Sequence, residues 1–196
     1  MSIPHRVVGH GPRTVFVSHG WFGSSEGWGL FPTFLDGEAF TYVRDAVAEH
    51  GLKGDVLDLG GRDINGTTEC LFPDSRYVVV DIEPHPTVDI VADAGDLDFG
   101  ELFDVVVSTE CLEHTPRGAD IVATAYRHLR VGGMFVATMA GPGRPPHGAA
   151  GSPWPLDGEY YRNVKPGELA EWLAAAGFTD CEIDTLGTDL RCWARR

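Results

Sequence analysis

The sequence predicts an α/β fold: a Rossmann-like, doubly wound, mostly parallel sheet with helices on both faces. Three observations carry this reading. From Asp45 onward, short β-rich runs alternate with stretches of helical periodicity. Those runs are continuously apolar, without strict alternation, as strands covered on both faces are. A glycine-rich turn, within "GDVLDLGGRDINGT" at 54–67, follows the first run, where such folds open a crevice for a nucleotide.

The elements follow in order. "EAFTYVRDAVAEHGLKG" places Phe40, Val43, Ala46, Val47 and His50 on one helical face, with Gly51 and Gly54 behind them. This amphipathic helix feeds a first strand, Asp55 to Leu59. Further strands are expected at Tyr77 to Asp81, Asp89 to Val91, Asp104 to Ser108, Met134 to Met139 and Asp180 to Thr185. Gly118 to Leu129 reads as a helix with Ile121, Val122, Ala125 and Leu129 on one side, stopped by Gly132 and Gly133. Lys165 to Gly177 reads as another, with Pro166 in its first turn and Gly177 as its stop. Pro142 to Pro155 is rich in glycine and proline, a loop placed where a lid over a substrate would sit. There is no internal repeat.

With 196 residues the chain has room for one full domain and an appendage. Residues 1–44 carry no net charge, so the whole formal deficit of 14 falls on residues 45–196. Such a field repels polyanions and argues against nucleic acid or an anionic membrane as partner. No apolar run approaches a membrane span, and the opening residues lack the basic start and apolar stretch expected of a secretion signal. Cys70, Cys111, Cys181 and Cys192 form no CxxC pair, which fits neither a zinc cluster nor a disulfide framework. Reduced thiols and a cytoplasmic location are expected, with no metal ligands assigned.

The glycine turn departs from the strict GxGxxG pattern at Arg62. By itself it fits equally a tight turn into a helix. Asp58 adds information, because a carboxylate at a strand end is poorly placed beside a phosphate and well placed beside a cation. A nucleoside carrying an ammonium and a sulfonium is such a ligand. Asp81, ending "SRYVVVD", is positioned to accept hydrogen bonds from both hydroxyls of a ribose, although it also suits a solvated turn before Pro84. Asp93, in "DIVADAGD", could accept from an adenine amino group or simply belong to a loop.

The segments VLDLGGRDING, YVVVDIEP, VADAGDLDF, FDVVVSTECLEHT, LRVGGMFVATM and GELAEWLAAAGF, in this order and spacing, resemble the motifs of class I S-adenosylmethionine-dependent methyltransferases. The resemblance runs from about residue 40 to the C-terminus. It implies S-adenosylmethionine as cofactor, with Asp58 and the backbone of Gly60 and Gly61 at the methionine moiety and Asp81 at the ribose. It further implies Ile82 on one adenine face and Asp93 with Ala94 at the adenine edge, and Thr109 is counted with these cofactor residues. Where Arg62 stands, the family commonly has a third small residue.

A methyl carried on a sulfonium is already activated, so a base is needed only if the acceptor must lose a proton. "STECLEHT" supplies Glu110, Glu113 and His114 at the carboxyl edge of the sheet. His114 is the candidate base because its ordinary pKa lies near neutrality, while Leu112 to His114 also suits the start of a helix lining the cofactor pocket. Tyr160 and Tyr161 could shape the acceptor pocket or belong to the core. The motif by which DNA amine methylases grip a flipped base is absent at Ser108 to Cys111, and no Pro-Cys pair offers a cytosine nucleophile. A small-molecule or sugar-like acceptor is the expectation.

Residues 1–38 read as an N-terminal appendage and residues 39–196 as the methyltransferase domain. "VFVSHGWFG" resembles the beginning of α/β-hydrolases, with Gly20, Trp21 and Phe22 in the HG loop and a GxSxG match around Ser25. That match lacks its own strand, and no room remains for a whole hydrolase. A serine hydrolase, or a cofactor-binding module without turnover, are the alternatives to methyl transfer.

Overall fold

The computed structural model describes residues 37–64 and 66–196. The N-terminal segment holding Gly20, Trp21, Phe22 and Ser25 lies outside the described residues.

Helix α1 (Glu38–His50) buries Phe40, Val43 and Ala46, and Gly51 closes it in the left-handed conformation at φ 64°. Strands β1 (Val56–Leu59), β2 (Tyr77–Asp81), β3 (Ile90–Val91) and β4 (Phe103–Thr109) follow. Then come α2 (Gly118–His128), β5 (Leu129–Ala140), α3 (Pro166–Ala176), β6 (Asp180–Leu186) and β7 (Asp189–Arg195). The seven strands pair in the order β3-β2-β1-β4-β5-β7-β6. All neighbours are parallel except β7, which runs antiparallel to both β5 and β6.

The alternating directions of strand side chains divide the core in two. Leu57, Leu59, Val78, Val80, Val106, Phe135 and Ala137 pack with α2 and α3 on one face. Val56, Val79, Val105, Val107 and Val136 pack with Val43 and Ala46 of α1 on the other. The doubly wound architecture read from the sequence is therefore present, with one described helix on one face and two on the other.

The structure differs from the sequence reading in three places. Of the two readings left open for the glycine turn, a tight turn into a helix is not the one observed: among the described residues of 60–76 there is only a 3-10 turn, Glu69–Leu71. Leu129 belongs to β5, which begins directly after α2 and passes through Gly132 and Gly133. Gly133 is required there because a Cβ would stand 2.8 Å from the Asp104 carbonyl oxygen. Strand β7 was not expected at all, although Leu190, Cys192 and Ala194 are buried in strict alternation along it.

The sheet reverses strand order at β1, which lies between β2 and β4. The carboxyl ends of these strands flank a crevice at that switch point. Asp58, Asp81, Thr109 and Glu110 all stand at this edge.

Candidate functional site

Asp58 faces the same side of the sheet as Val56 and is only 3% exposed, an acid in an otherwise apolar strand. Its Oδ2 accepts a 2.7 Å hydrogen bond from the Tyr77 hydroxyl, which lies 2.7 Å from Thr68 Oγ1. Its Oδ1 is buried without a hydrogen-bond partner. Burial is the main cause that pushes this carboxyl up to about 7, with the Tyr77 bond opposing it.

The glycine turn wraps this acid closely. A Cβ on Gly61 would meet the three carboxylate atoms of Asp58 at 2.3 to 2.6 Å. Gly60, at φ 78°, has Cys111 Sγ 2.3 Å from where its Cβ would be. Neither position has space for a side chain, and together they bring bare backbone to the crevice beside an unpartnered carboxylate oxygen. With no helix beginning after the turn, the helix N-terminus that favours phosphate is also missing. An orphaned acceptor next to open backbone fits the ammonium end of a methionine moiety.

Asp81 ends β2 and is 9% exposed. Its Oδ1 accepts from the Glu83 N–H at 2.9 Å and its Oδ2 from the Arg62 N–H at 3.4 Å. One lone pair on each oxygen remains for a ligand hydroxyl. The Arg62 side chain leans over the same group, its Nε 3.9 Å from Asp81 Oδ1. Ile82, next in the chain, is 65% exposed, an apolar surface that a flat base would cover.

Asp93 is engaged more fully than the sequence suggests. Its Oδ1 accepts from the Gly95 N–H and its Oδ2 from Arg117 Nη1, both at 2.8 Å. Arg117 also binds Asp96 and Asp120, so one guanidinium fixes the loop after β3 to the start of α2. The neighbouring Ala94 is buried. Thr109, half-buried, pairs with Thr138 across β4 and β5.

Beyond β4 the chain turns sharply at Glu110, whose φ of 51° lies in the left-handed region that a side chain rarely adopts. The Glu110 N–H bonds to the Thr138 carbonyl, Oε1 accepts from Thr138 Oγ1, and Oε2 lies 2.8 Å from Arg144 Nη2. Arg144 also pairs with Asp189 of β7 and so anchors the start of the loop after β5. The turn sends Leu112 to His114 into a short 3-10 helix rather than the start of an α-helix.

Glu113 is wholly buried, with Oε1 accepting from the Ala140 N–H at 3.0 Å and Oε2 unpartnered. Burial, and then Glu110, raise its carboxyl to about 8. His114 Nδ1 is also buried without a partner. Burial, and then His147, lower the His114 imidazole to about 4, so it is neutral at physiological pH. His147 comes from the loop expected as a lid, and with Tyr161 it packs about His114, the three ring centroids 4.9 to 5.4 Å apart.

The sequence named Asp58, Gly60, Gly61, Asp81, Ile82, Asp93, Ala94, Thr109 and His114, and the fold gathers them along one edge. It did not reveal Tyr77, Arg117, Arg144 or His147. Tyr77 and Arg117 read as ordinary strand and helix-start residues, and His147 sits in a loop without periodicity.

Residues 57–137 match the family model described as a methyltransferase domain. No curated protein matches the chain significantly. Among solved structures, a Burkholderia thailandensis 1,6-didemethyltoxoflavin-N1-methyltransferase with bound 1,6-didemethyltoxoflavin and S-adenosylhomocysteine is similar, at TM-score 0.62 and 22% identity. The likeness covers 84% of this chain and 81% of that one. A possible exported protein from Bordetella parapertussis matches at TM-score 0.59 and 18% identity, over 80% of this chain and 66% of that one. An S-adenosylmethionine-dependent methyltransferase from Clostridium acetobutylicum matches at TM-score 0.59 and 13% identity, over 80% and 89%.

Proposed function

We propose that this chain, which carries a class I S-adenosylmethionine-dependent methyltransferase domain, methylates a small-molecule or sugar-like acceptor. The observation that carries the cofactor reading is the unpartnered Oδ1 of Asp58 beside the bare backbone of Gly60 and Gly61. When bound there, S-adenosylmethionine supplies a methyl group already activated on a sulfonium.

The chain's own residues divide the remaining work. Asp58 holds the ammonium of the methionine moiety by charge and hydrogen bond. Asp81 accepts from the ribose hydroxyls with the two lone pairs its backbone partners leave. Ile82 covers one adenine face, and Asp93 with Ala94 borders its edge. Thr109 and the Glu110 turn close the crevice toward the acceptor side. There His114, neutral and with a free lone pair, is the group positioned to handle a proton leaving the acceptor.

A small acceptor suits the excess of acidic groups, which opposes a polyanionic substrate. The Burkholderia enzyme, with 1,6-didemethyltoxoflavin and S-adenosylhomocysteine bound, offers a parallel for a small-molecule acceptor. Among the described residues no helix is long and apolar enough to cross a membrane, and the four cysteines are free thiols. A reducing compartment, the cytoplasm, accommodates them.

The test is calorimetric titration with S-adenosylmethionine and S-adenosylhomocysteine. Saturable binding that Asp81→Ala weakens at least about a hundredfold is expected, since two charge-assisted hydrogen bonds of about 1.5 kcal/mol or more are lost. A folded protein that binds neither compound would overturn the reading.

A further inference from the structure

The roles assigned so far leave the buried Glu113, and His147 beside His114, unexplained. Glu113, His114 and His147 each present a ligand-capable atom, and these atoms all lie within 4.8 Å of one another. A first-row metal ion bound at about 2.0–2.2 Å spaces its ligands roughly 3–4 Å apart, so a small inward movement of the side chains would close the set. We infer that Glu113, His114 and His147 bind a divalent transition-metal ion at the acceptor end of the cofactor crevice, where an acceptor oxygen completes its coordination. This deepens the methyltransferase reading and rests on it.

Two unsatisfied atoms point to a ligand independently of the spacing. Glu113 is fully buried, and its Oε2 has no hydrogen-bond partner. His114 Nδ1 is buried and unpartnered as well. Leaving two such acceptors empty in one place is costly, and one cation would satisfy both.

The surroundings orient the set as outer-shell contacts orient metal ligands. Glu113 Oε1 is held by the Ala140 N–H, while Oε2 has no partner. His147 Nδ1 lies 3.3 Å from the Pro145 carbonyl, and donation there leaves the Nε2 lone pair free. The Tyr161 hydroxyl donates to the same carbonyl at 3.3 Å while its ring packs on both imidazoles. Glu110 lies nearby but is spoken for by Arg144, so it is not counted as a ligand.

Two imidazoles and one carboxylate are a donor set for zinc, cobalt, manganese or iron(II) rather than for magnesium or calcium, which prefer oxygen alone. Three protein ligands leave a position open, as sites that bind substrate do. The acceptor class follows: a small molecule with a hydroxyl that can coordinate. On the metal its O–H bond breaks and the proton passes to solvent water. The electron pair left on oxygen forms the new O–C bond, as the C–S bond of the cofactor breaks onto sulfur. His114 then acts by holding the ion.

The full chain, stripped with a chelator, is titrated with Zn²⁺ and with Co²⁺ by calorimetry and by the visible absorption of Co²⁺. One equivalent is expected to bind, with affinity falling at least tenfold in His147→Ala and in Glu113→Gln. Asp81→Ala should keep the metal while losing the cofactor, which separates failure of this site from failure of the methyltransferase reading. His147 lies in a surface loop, so its variant decides the question even if the Glu113 variant does not fold. Binding of less than half an equivalent, or binding that His147→Ala leaves unchanged, would overturn the proposal.

Discussion

The Tyr77 hydroxyl donates a 2.7 Å hydrogen bond to Asp58 Oδ2 between adjacent parallel strands, in the interior of the sheet. This one bond opposes the burial that raises the Asp58 carboxyl to about 7, and the other oxygen stays unpartnered. A cationic ligand at that oxygen favours the ionised form. Binding of S-adenosylmethionine should therefore release close to one proton at about pH 6 and about half a proton at about pH 7. Affinity should fall toward tenfold per pH unit below about 7. Calorimetry in buffers of different ionisation enthalpy reads the proton directly, and a release of zero at pH 6 would show that Asp58 is not the ammonium partner.

The same shift has a consequence for stability without ligand. Asp58 has a folded pKa near 7, above its ordinary value of 3.8, so between those two the native state holds a proton that the unfolded chain has lost. Its contribution is favourable at low pH and is lost as pH rises through about 7. Asp58→Asn cannot ionise and keeps an acceptor for Tyr77. Thermal melts of the ligand-free proteins should show the variant more stable than wild type by several degrees at pH 8, with the difference closing toward pH 4. Cofactor binding by the same variant should be lost. A variant less stable than wild type at pH 8 would mean that the buried carboxylate has a cationic partner in the ligand-free protein.

The architecture was legible because buried parallel strands announce themselves as apolar runs: six of the seven strands were found, five near their observed ends and β5 only from Met134 onward. Strand β7 escaped because Arg191, Trp193 and Arg195 between its buried residues make it read as a polar tail. No helix follows the glycine turn among the described residues, since "RDINGTTECLFP" carries turn formers and no apolar face. At the site, single acids at strand ends were readable because strand topology brings them together wherever the strands pair. Tyr77, Arg117 and His147 were not, because their meaning lies in what they touch across 19, 24 and 33 positions of sequence, at Asp58, Asp93 and His114. Separations of that kind leave no local pattern.

Gly61→Ala separates packing of the turn from its backbone conformation, because Gly61 does not sit at positive φ. The added methyl would stand 2.3 Å from Asp58 Cγ, so either the carboxylate or the turn must move. Overpacking of this kind costs about 1–3 kcal/mol. S-adenosylmethionine affinity should fall by at least about tenfold while the far-ultraviolet circular dichroism is unchanged. Unaltered affinity would show that the turn and Asp58 do not act together on the ligand.

Arg62 interrupts the small residues of the glycine turn, and its guanidinium Nε is 3.9 Å from Asp81 Oδ1. It is buried in part, and its Nε has no hydrogen-bond partner, so it gains little there for itself. With the cofactor placed as proposed, its positive charge would weaken Asp81 as an acceptor for ribose hydroxyls and oppose the sulfonium of the same ligand. S-adenosylhomocysteine lacks the sulfonium charge, so the second effect is absent for the product. At an effective dielectric between that of water and of a protein surface, two charges about 8 Å apart interact by roughly 0.5–2 kcal/mol. Arg62→Gly should therefore improve affinity for S-adenosylmethionine several-fold more than for S-adenosylhomocysteine, with the advantage shrinking as salt rises. Competition titrations with the two compounds at low and high ionic strength provide the measurement. Equal changes for both would place the Arg62 charge away from the sulfonium, and weaker binding of both would make Arg62 a cofactor ligand itself, in contact with the methionine carboxylate rather than in competition with the ribose.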